Sequence, residues 1–180
     1  MSYDPAAAHL RPGMQLPDMT LAATDGGAVC VAALRGRSVL AVYPWTGPPG
    51  LPNPPDWDDI PGAHGSTPEL EGFRDLTASF AAAKVKLFGL SRQTIDYQRE
   101  MAVRLKLPFP ILSDADGRFS AALGLPSFAT GGEIYSKRLT LILDSGSIER
   151  VFFPVENPAL HASEVLAALQ SESSSASSTE

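Results

Sequence analysis

The chain has 180 residues and a mass of 19.0 kDa, which is room for one domain of ordinary size and too little for two. Its 44% hydrophobic and 19% charged residues are a globular composition. The 14 Lys and Arg against 20 Asp and Glu leave a formal charge of -6, which excludes the broad basic surface that binding to a nucleic acid requires. No apolar run approaches the roughly 20 residues that cross a bilayer, and residues 1–10 lack the basic region and apolar stretch of a signal peptide, so a cytoplasmic protein without a membrane partner is expected. Cys30 is the sole cysteine, and His9, His64 and His161 are scattered without ligand spacing. Neither a disulfide, a metal site nor a cofactor is therefore expected.

In chain order, the first predicted element is a hairpin, residues 19–23 and 28–32, turning through Thr24-Asp25-Gly26-Gly27. Residues 38–43, apolar and β-branched without alternation, read as a central strand covered on both faces. The segment 44–65 holds seven of the sixteen prolines and reads as a long loop. Its Trp45 and Trp57 require packing, either over a pocket or, by default, simply onto the domain.

Ser66-Thr67-Pro68-Glu69 is a helix start, with a hydroxyl to accept orphan N–H groups, a proline in the first turn and a carboxylate at the positive helix end. Leu70, Phe73, Leu76 and Phe80 form one apolar face of that helix. Residues 84–90 are a strand, a helix through Tyr97, Met101 and Leu105 stops before Pro108, and residues 109–112 are a short strand. A brief helix covers residues 119–123. Residues 139–144 and 148–153 make a hairpin around Ser145-Gly146, and residues 162–170 are helical. The order predicts an α/β protein of thioredoxin-like fold, with a mixed central sheet flanked by helices and an N-terminal β-hairpin. One domain spans residues 1–170, and the Ser-rich acidic residues 171–180 are expected to be a disordered tail.

The stretch from Gly65 to Asp75 resembles the peroxiredoxins, in which a Gly-Cys-Thr-x-Glu motif opens this helix. Leu16-Pro17-Asp18-Met19, Leu34-Arg35-Gly36-Arg37 with residues 39–44, Phe88-Gly89-Leu90-Ser91, Pro110-Ile111-Leu112-Ser113-Asp114 and Arg138-Leu139-Thr140 are similar to the family's other motifs, in family order from about Leu16 to Gln170. The closest resemblance is to bacterioferritin-comigratory, Q-type members with a long loop before the active helix. It implies a thiol peroxidase acting on hydrogen peroxide or organic hydroperoxides, with an external thiol or thioredoxin-like reductant, as a monomer or homodimer. It also implies a catalytic set of Ser66 at the peroxidatic cysteine position, Thr67, Glu69 and Arg138. Tyr43-Pro44-x-Thr46 resembles the place where family members bring a threonine to the site, although the extra loop intervenes.

The departures are Ser66 for the peroxidatic cysteine and Glu71 where many Q-type members place a resolving cysteine. The chemistry needs a thiolate, and a serine hydroxyl has neither the acidity nor a sulfenic state. The chain as it stands is expected to be inactive. Two explanations remain open, an enzyme arrested by a cysteine-to-serine replacement and a non-catalytic peroxiredoxin-like binding or regulatory module. Without the resemblance, Ser66 is an ordinary helix cap, Arg138 an edge cation, and His64 an exposed loop residue with no carboxylate at a recognisable spacing to complete a Ser-His-Asp set. Cys30, between Val29 and Val31, is expected to be buried and unreactive.

Overall fold

The computed structural model describes residues 4–176. Its centre is strand β3 (Arg37–Val42), whose Ser38 to Val42 are all buried. Successive side chains of a strand point to opposite faces. Leu40 and Val42 therefore join one core with Leu16, Leu21, Phe119 and Leu141, while Val39 and Ala41 join a second with Leu70, Phe73, Phe80, Met101 and Leu166. A strand buried on both faces must have partners on both edges. β4 (Lys86–Ser91) pairs with it in parallel, and β8 (Leu139–Asp144) pairs with it antiparallel on the other side.

β5 (Ile111–Ser113) extends the sheet in parallel beyond β4, followed by the antiparallel hairpin of β1 (Thr20–Ala23) and β2 (Ala28–Cys30). β9 (Ser147–Phe152) closes the other edge against β8. The seven-stranded order is thus β2-β1-β5-β4-β3-β8-β9. Helices α1 (Ser66–Asp75), α2 (Thr77–Ala82), α3 (Ile95–Arg104), α4 (Arg118–Leu123) and α5 (Pro158–Ala176) flank it. This is the thioredoxin-like arrangement expected, with the three central strands adjacent. Among the described residues no helix is long and apolar enough to cross a membrane.

Four local expectations are corrected. The second strand of the first hairpin ends at Cys30, and the chain passes into a 3-10 turn over Val31–Ala33. The helix expected to run through Phe80 breaks at Leu76, whose φ of -103° and ψ of 7° are not helical. The Thr77 hydroxyl donates to the Phe73 carbonyl (3.0 Å) across the break, and the apolar face survives because Leu70, Phe73, Leu76 and Phe80 still share one core.

The segment expected to be a disordered tail is helical as far as Ala176, because α5 continues past Gln170. Glu172 accepts a bond from Arg37 (2.9 Å), which also pairs with Glu149, and the Ser171 and Ser173 hydroxyls donate back to the Ala168 and Leu169 carbonyls. The Glu172 bond ties the serine-rich turn to the sheet, and the serine bonds lie within the helix. Residues 177–180 lie outside the described residues.

The fourth is a hairpin that was not foreseen, β6 (Ser127–Thr130) and β7 (Glu133–Ser136), a separate two-stranded sheet. Its turn is Gly131-Gly132, with φ of 57° and 80°. Two consecutive positive φ values are what a tight type I′ turn demands and glycine supplies without strain.

Candidate active site

β8 runs antiparallel to β3, with Leu139 opposite Val42, so Arg138 stands at the carboxyl end of β3. There the chain leaves the sheet for the loop 44–65 and returns at α1. The register therefore brings residues 66 and 138 together across 72 positions of sequence. Arg138 is 3% exposed, Ser66 3% and Glu69 1%. Arg138 Nη2 donates to Ser66 Oγ at 3.1 Å and to the carbonyls of Gly62 (3.3 Å), Ala63 (3.3 Å) and His64 (3.0 Å), while Nη1 pairs with Glu69 Oε2. A planar guanidinium with fixed donors can collect several oxygens in this way, which an ammonium on a flexible stem cannot.

Ser66 is not the helix cap. Gly65 takes that place at φ 106°, and no side chain among the described residues caps α1. Ser66 is the first helical residue, its hydroxyl turned to Arg138. A side chain at position 65 would be strained at that φ and would also meet Pro158 Cγ of α5 at 2.7 Å. Thr67, half-buried, lies with Ser66 in the wall of a cavity of about 220 Å³. The structure therefore groups Ser66, Glu69 and Arg138 by direct bonds and Thr67 by a shared cavity.

Burial pushes the Glu69 carboxyl up to about 7 from an ordinary 4.5, with the charge and hydrogen bond of Arg138 pulling the other way. Because the folded value lies above the unfolded one, this group's contribution to stability is complete below about 4.5. It is lost as the pH rises towards about 7. The expected loss is at most roughly 3–4 kcal/mol, at about 1.4 kcal/mol for each unit. Urea unfolding midpoints at pH 5 and pH 8 should reveal it, with Glu69→Gln flattening the difference. An unchanged pH slope in that variant would assign the effect elsewhere.

Trp45 and Trp57 do more than fasten the loop to the domain, because both line the Ser66 cavity with Pro48, Leu51 and His64. Trp57 is 3% exposed, with its ring centroid 5.5 Å from Trp45, 5.6 Å from Phe128 and 5.1 Å from Tyr135. The β6–β7 hairpin thus clamps the loop over the site. Two indoles in a proline-rich segment were the available signal for this wall, and Gly131-Gly132 was the signal for its clamp.

Thr46 does not reach Ser66. Its backbone N–H and hydroxyl both donate to Gln93 Oε1 (3.1 and 3.2 Å), and its carbonyl accepts from Gln93 Nε2 (3.2 Å) and Tyr97 (2.5 Å). His64 is exposed as expected, but it has the carboxylate that its sequence neighbourhood did not reveal, Asp58, at 2.5 Å. The Ser66 hydroxyl is bonded to Arg138, which leaves His64 and Asp58 as a pair at the rim.

Cys30 is a further correction. β2 is an edge strand, so the thiol is half-buried rather than enclosed, and Sγ donates to Asp18 Oδ1 at 3.4 Å. In sheet order β1, β5 and β4 separate its strand from β3.

A parallel strand pair with an antiparallel neighbour, followed by a helix whose first residue meets the arginine that leads into that neighbour, defines a thioredoxin-fold protein of the peroxiredoxin type. The chain belongs to the Redoxin family, whose model it matches over residues 11–169. It is similar to a chloroplastic peroxiredoxin Q of Oryza sativa subsp. japonica, 29% identical over 161 residues that cover 88% of this chain and 66% of that protein. The chain thus spans just under two thirds of that relative's length. A chloroplastic peroxiredoxin Q of Sedum lineare is 28% identical over 166 residues, covering 91% of this chain and 80% of that one. Among solved structures, the peroxidoxin BcpB of Mycobacterium tuberculosis superposes with a TM-score of 0.72 at 26% identity, covering 91% of this chain and 98% of that chain.

Proposed function

We propose that this protein is a cytoplasmic peroxiredoxin-type thiol peroxidase arrested at its nucleophile, with Ser66 in the peroxidatic position and Thr67, Glu69 and Arg138 framing it. The observation that carries the reading is the 3.1 Å bond from Arg138 Nη2 to Ser66 Oγ at the first residue of α1. A cysteine there would have its thiolate favoured by the helix N-terminus and the guanidinium. Its sulfur would attack one peroxide oxygen and become the sulfenic acid, and the other oxygen would leave as water or an alcohol. One external thiol would displace the sulfenic oxygen as water to form a mixed disulfide, and a second, or the partner thiol of a thioredoxin-like reductant, would release the cysteine thiol and leave the donor as a disulfide. Serine keeps the geometry and lacks the reaction, because its hydroxyl stays protonated at neutral pH and forms no sulfenic acid.

The test is peroxide consumption with dithiothreitol as donor. The chain with Ser66 should leave hydrogen peroxide and cumene hydroperoxide untouched, and Ser66→Cys should consume them. A folded Ser66→Cys protein whose new thiol stays inert towards peroxide would overturn the reading in favour of a non-catalytic binding or regulatory module.

A further inference from the structure

Trp45 lines two cavities, that of Ser66 and a second of about 220 Å³ whose walls include Tyr97 of α3 and Tyr135, Ile134 and Glu133 of β7. We propose that this aromatic cleft binds an alkylated ammonium group, with the three rings around the cation and the Glu133 carboxylate at its mouth.

The ligand class follows from the lining. Aromatic faces carry negative charge density and attract cations, most effectively those whose charge is spread over methyl groups and weakly hydrated. An anion would meet three rings and a carboxylate, against one arginine in the lining, Arg92. A neutral apolar group would forgo the attraction of both. At roughly 30 Å³ for each water-sized volume, the space suits a compact head group rather than an extended chain.

The rings are held in place before any ligand arrives. Tyr97 is fixed by its hydroxyl on the Thr46 carbonyl (2.5 Å), and Tyr135 by stacking on Phe128 (centroids 5.5 Å) and edge contact with Trp57 (5.1 Å). Trp45 follows Pro44 and precedes Thr46, whose backbone is gripped on both sides by Gln93. Its indole lies so close over Gly47 that a Cβ there would fall 2.8 Å from Cη2. Preorganised walls of this kind reduce the ordering that binding must overcome.

Glu133 also acts on the cleft electrostatically. After burial, its charge is the cause that raises the Tyr135 phenol. The one cation in the lining, Arg92, has its guanidinium over Gly117 at the start of α4, where a Cβ would fall 2.3 Å from Nη1.

The only two tryptophans of the chain, Trp45 and Trp57, flank this region, so the intact protein reports on it by its own fluorescence. Choline and its uncharged isostere 3,3-dimethylbutan-1-ol are the probes. Choline should shift the emission saturably and bind about tenfold more tightly than the alcohol. Ile134 is half exposed, so Ile134→Lys should fold normally while placing a fixed cation in the cleft and abolishing choline binding. Glu133→Gln should weaken it severalfold. Equal binding of the alcohol, no binding of choline, or choline binding that survives Ile134→Lys would overturn the assignment. None of these outcomes depends on peroxide chemistry, so the proposal stands or falls separately from the function of Ser66.

Discussion

Arg138→Met is expected to destabilise the protein by about 3–5 kcal/mol, the usual cost of removing one member of a buried ion pair. Arg138 and Glu69 have side chains only 2% and 1% exposed. At that burial a missing guanidinium would leave its partners, Glu69, Ser66 and the carbonyls of residues 62–64, without their hydrogen-bond donor. The cost should depend on pH. Glu69 already titrates near 7 beside the arginine, and without that cation its folded value must rise further. Below neutrality the carboxyl carries a proton in both proteins, and the cost reduces to lost hydrogen bonds. Above it the variant alone must bury a lone carboxylate or hold a proton against the solvent. Guanidinium unfolding at about pH 6 and pH 9 should therefore give the larger difference at pH 9. A loss under 1 kcal/mol, or one independent of pH, would mean that the pair is not the anchor of this site.

Trp57→Ala should have an effect of similar size on a different part of the molecule. Removing a buried Trp typically costs about 3–5 kcal/mol, with edge-to-face ring contacts part of the loss. Trp57 has two such ring neighbours, Trp45 and Tyr135, and a third, Phe128, in a tilted contact. The loop and the β6–β7 hairpin otherwise meet through contacts such as the Thr130 hydroxyl on the Pro55 carbonyl (2.6 Å). The loss should therefore appear first as local opening of residues 44–65. Amide exchange and proteolytic cleavage within that segment should accelerate sharply, and the emission of Trp45, then the sole indole, should move to the red. If the loop exchanges no faster and Trp45 emits as before, the clamp is made elsewhere.

The sheet was legible because its central strands carry a signal that little else produces. Residues 39–43, 87–90 and, Thr140 apart, 139–143 are apolar on both alternating sets of positions, as a doubly covered strand requires. The helix at Ser66 was legible from Thr67, Pro68 and Glu69, although the cap proved to be Gly65, whose role depends on a left-handed φ that composition alone does not reveal. Arg138 was singled out by resemblance, since without it a lone arginine before a strand has an equally good surface reading. Pairing register is what carries that arginine to residue 66, and register is a property of two strands and not of either.

What escaped was mostly edge and periphery. The apolar content of Val29-Cys30-Val31 suggested enclosure, but β2 is the last strand of the sheet and one side of it has no neighbour. Serines after Gln170 weigh against a helix by propensity. There the segment gains a partner on another element that local propensity cannot show, Arg37 bonding Glu172. The β6–β7 hairpin had a legible turn in Gly131-Gly132, but its strands have only four residues each and pair with no strand of the main sheet. Their reason for existing is Trp57, more than 70 residues upstream.

The placement of β3 between β4 and β8 has a consequence for synthesis. As the chain emerges from a ribosome, β3 can find β4 after fewer than 50 residues, but its other edge stays open until β8 is made, about 100 residues later. Until then Arg138 is missing, Glu69 has no counter-ion, and an apolar strand edge faces whatever else is in solution. A nascent chain ending before residue 137 therefore has neither a finished sheet nor a site. Truncated chains released at that length should be chaperone clients, and the strand that covers the second edge of β3 is the one that brings Arg138 to Ser66.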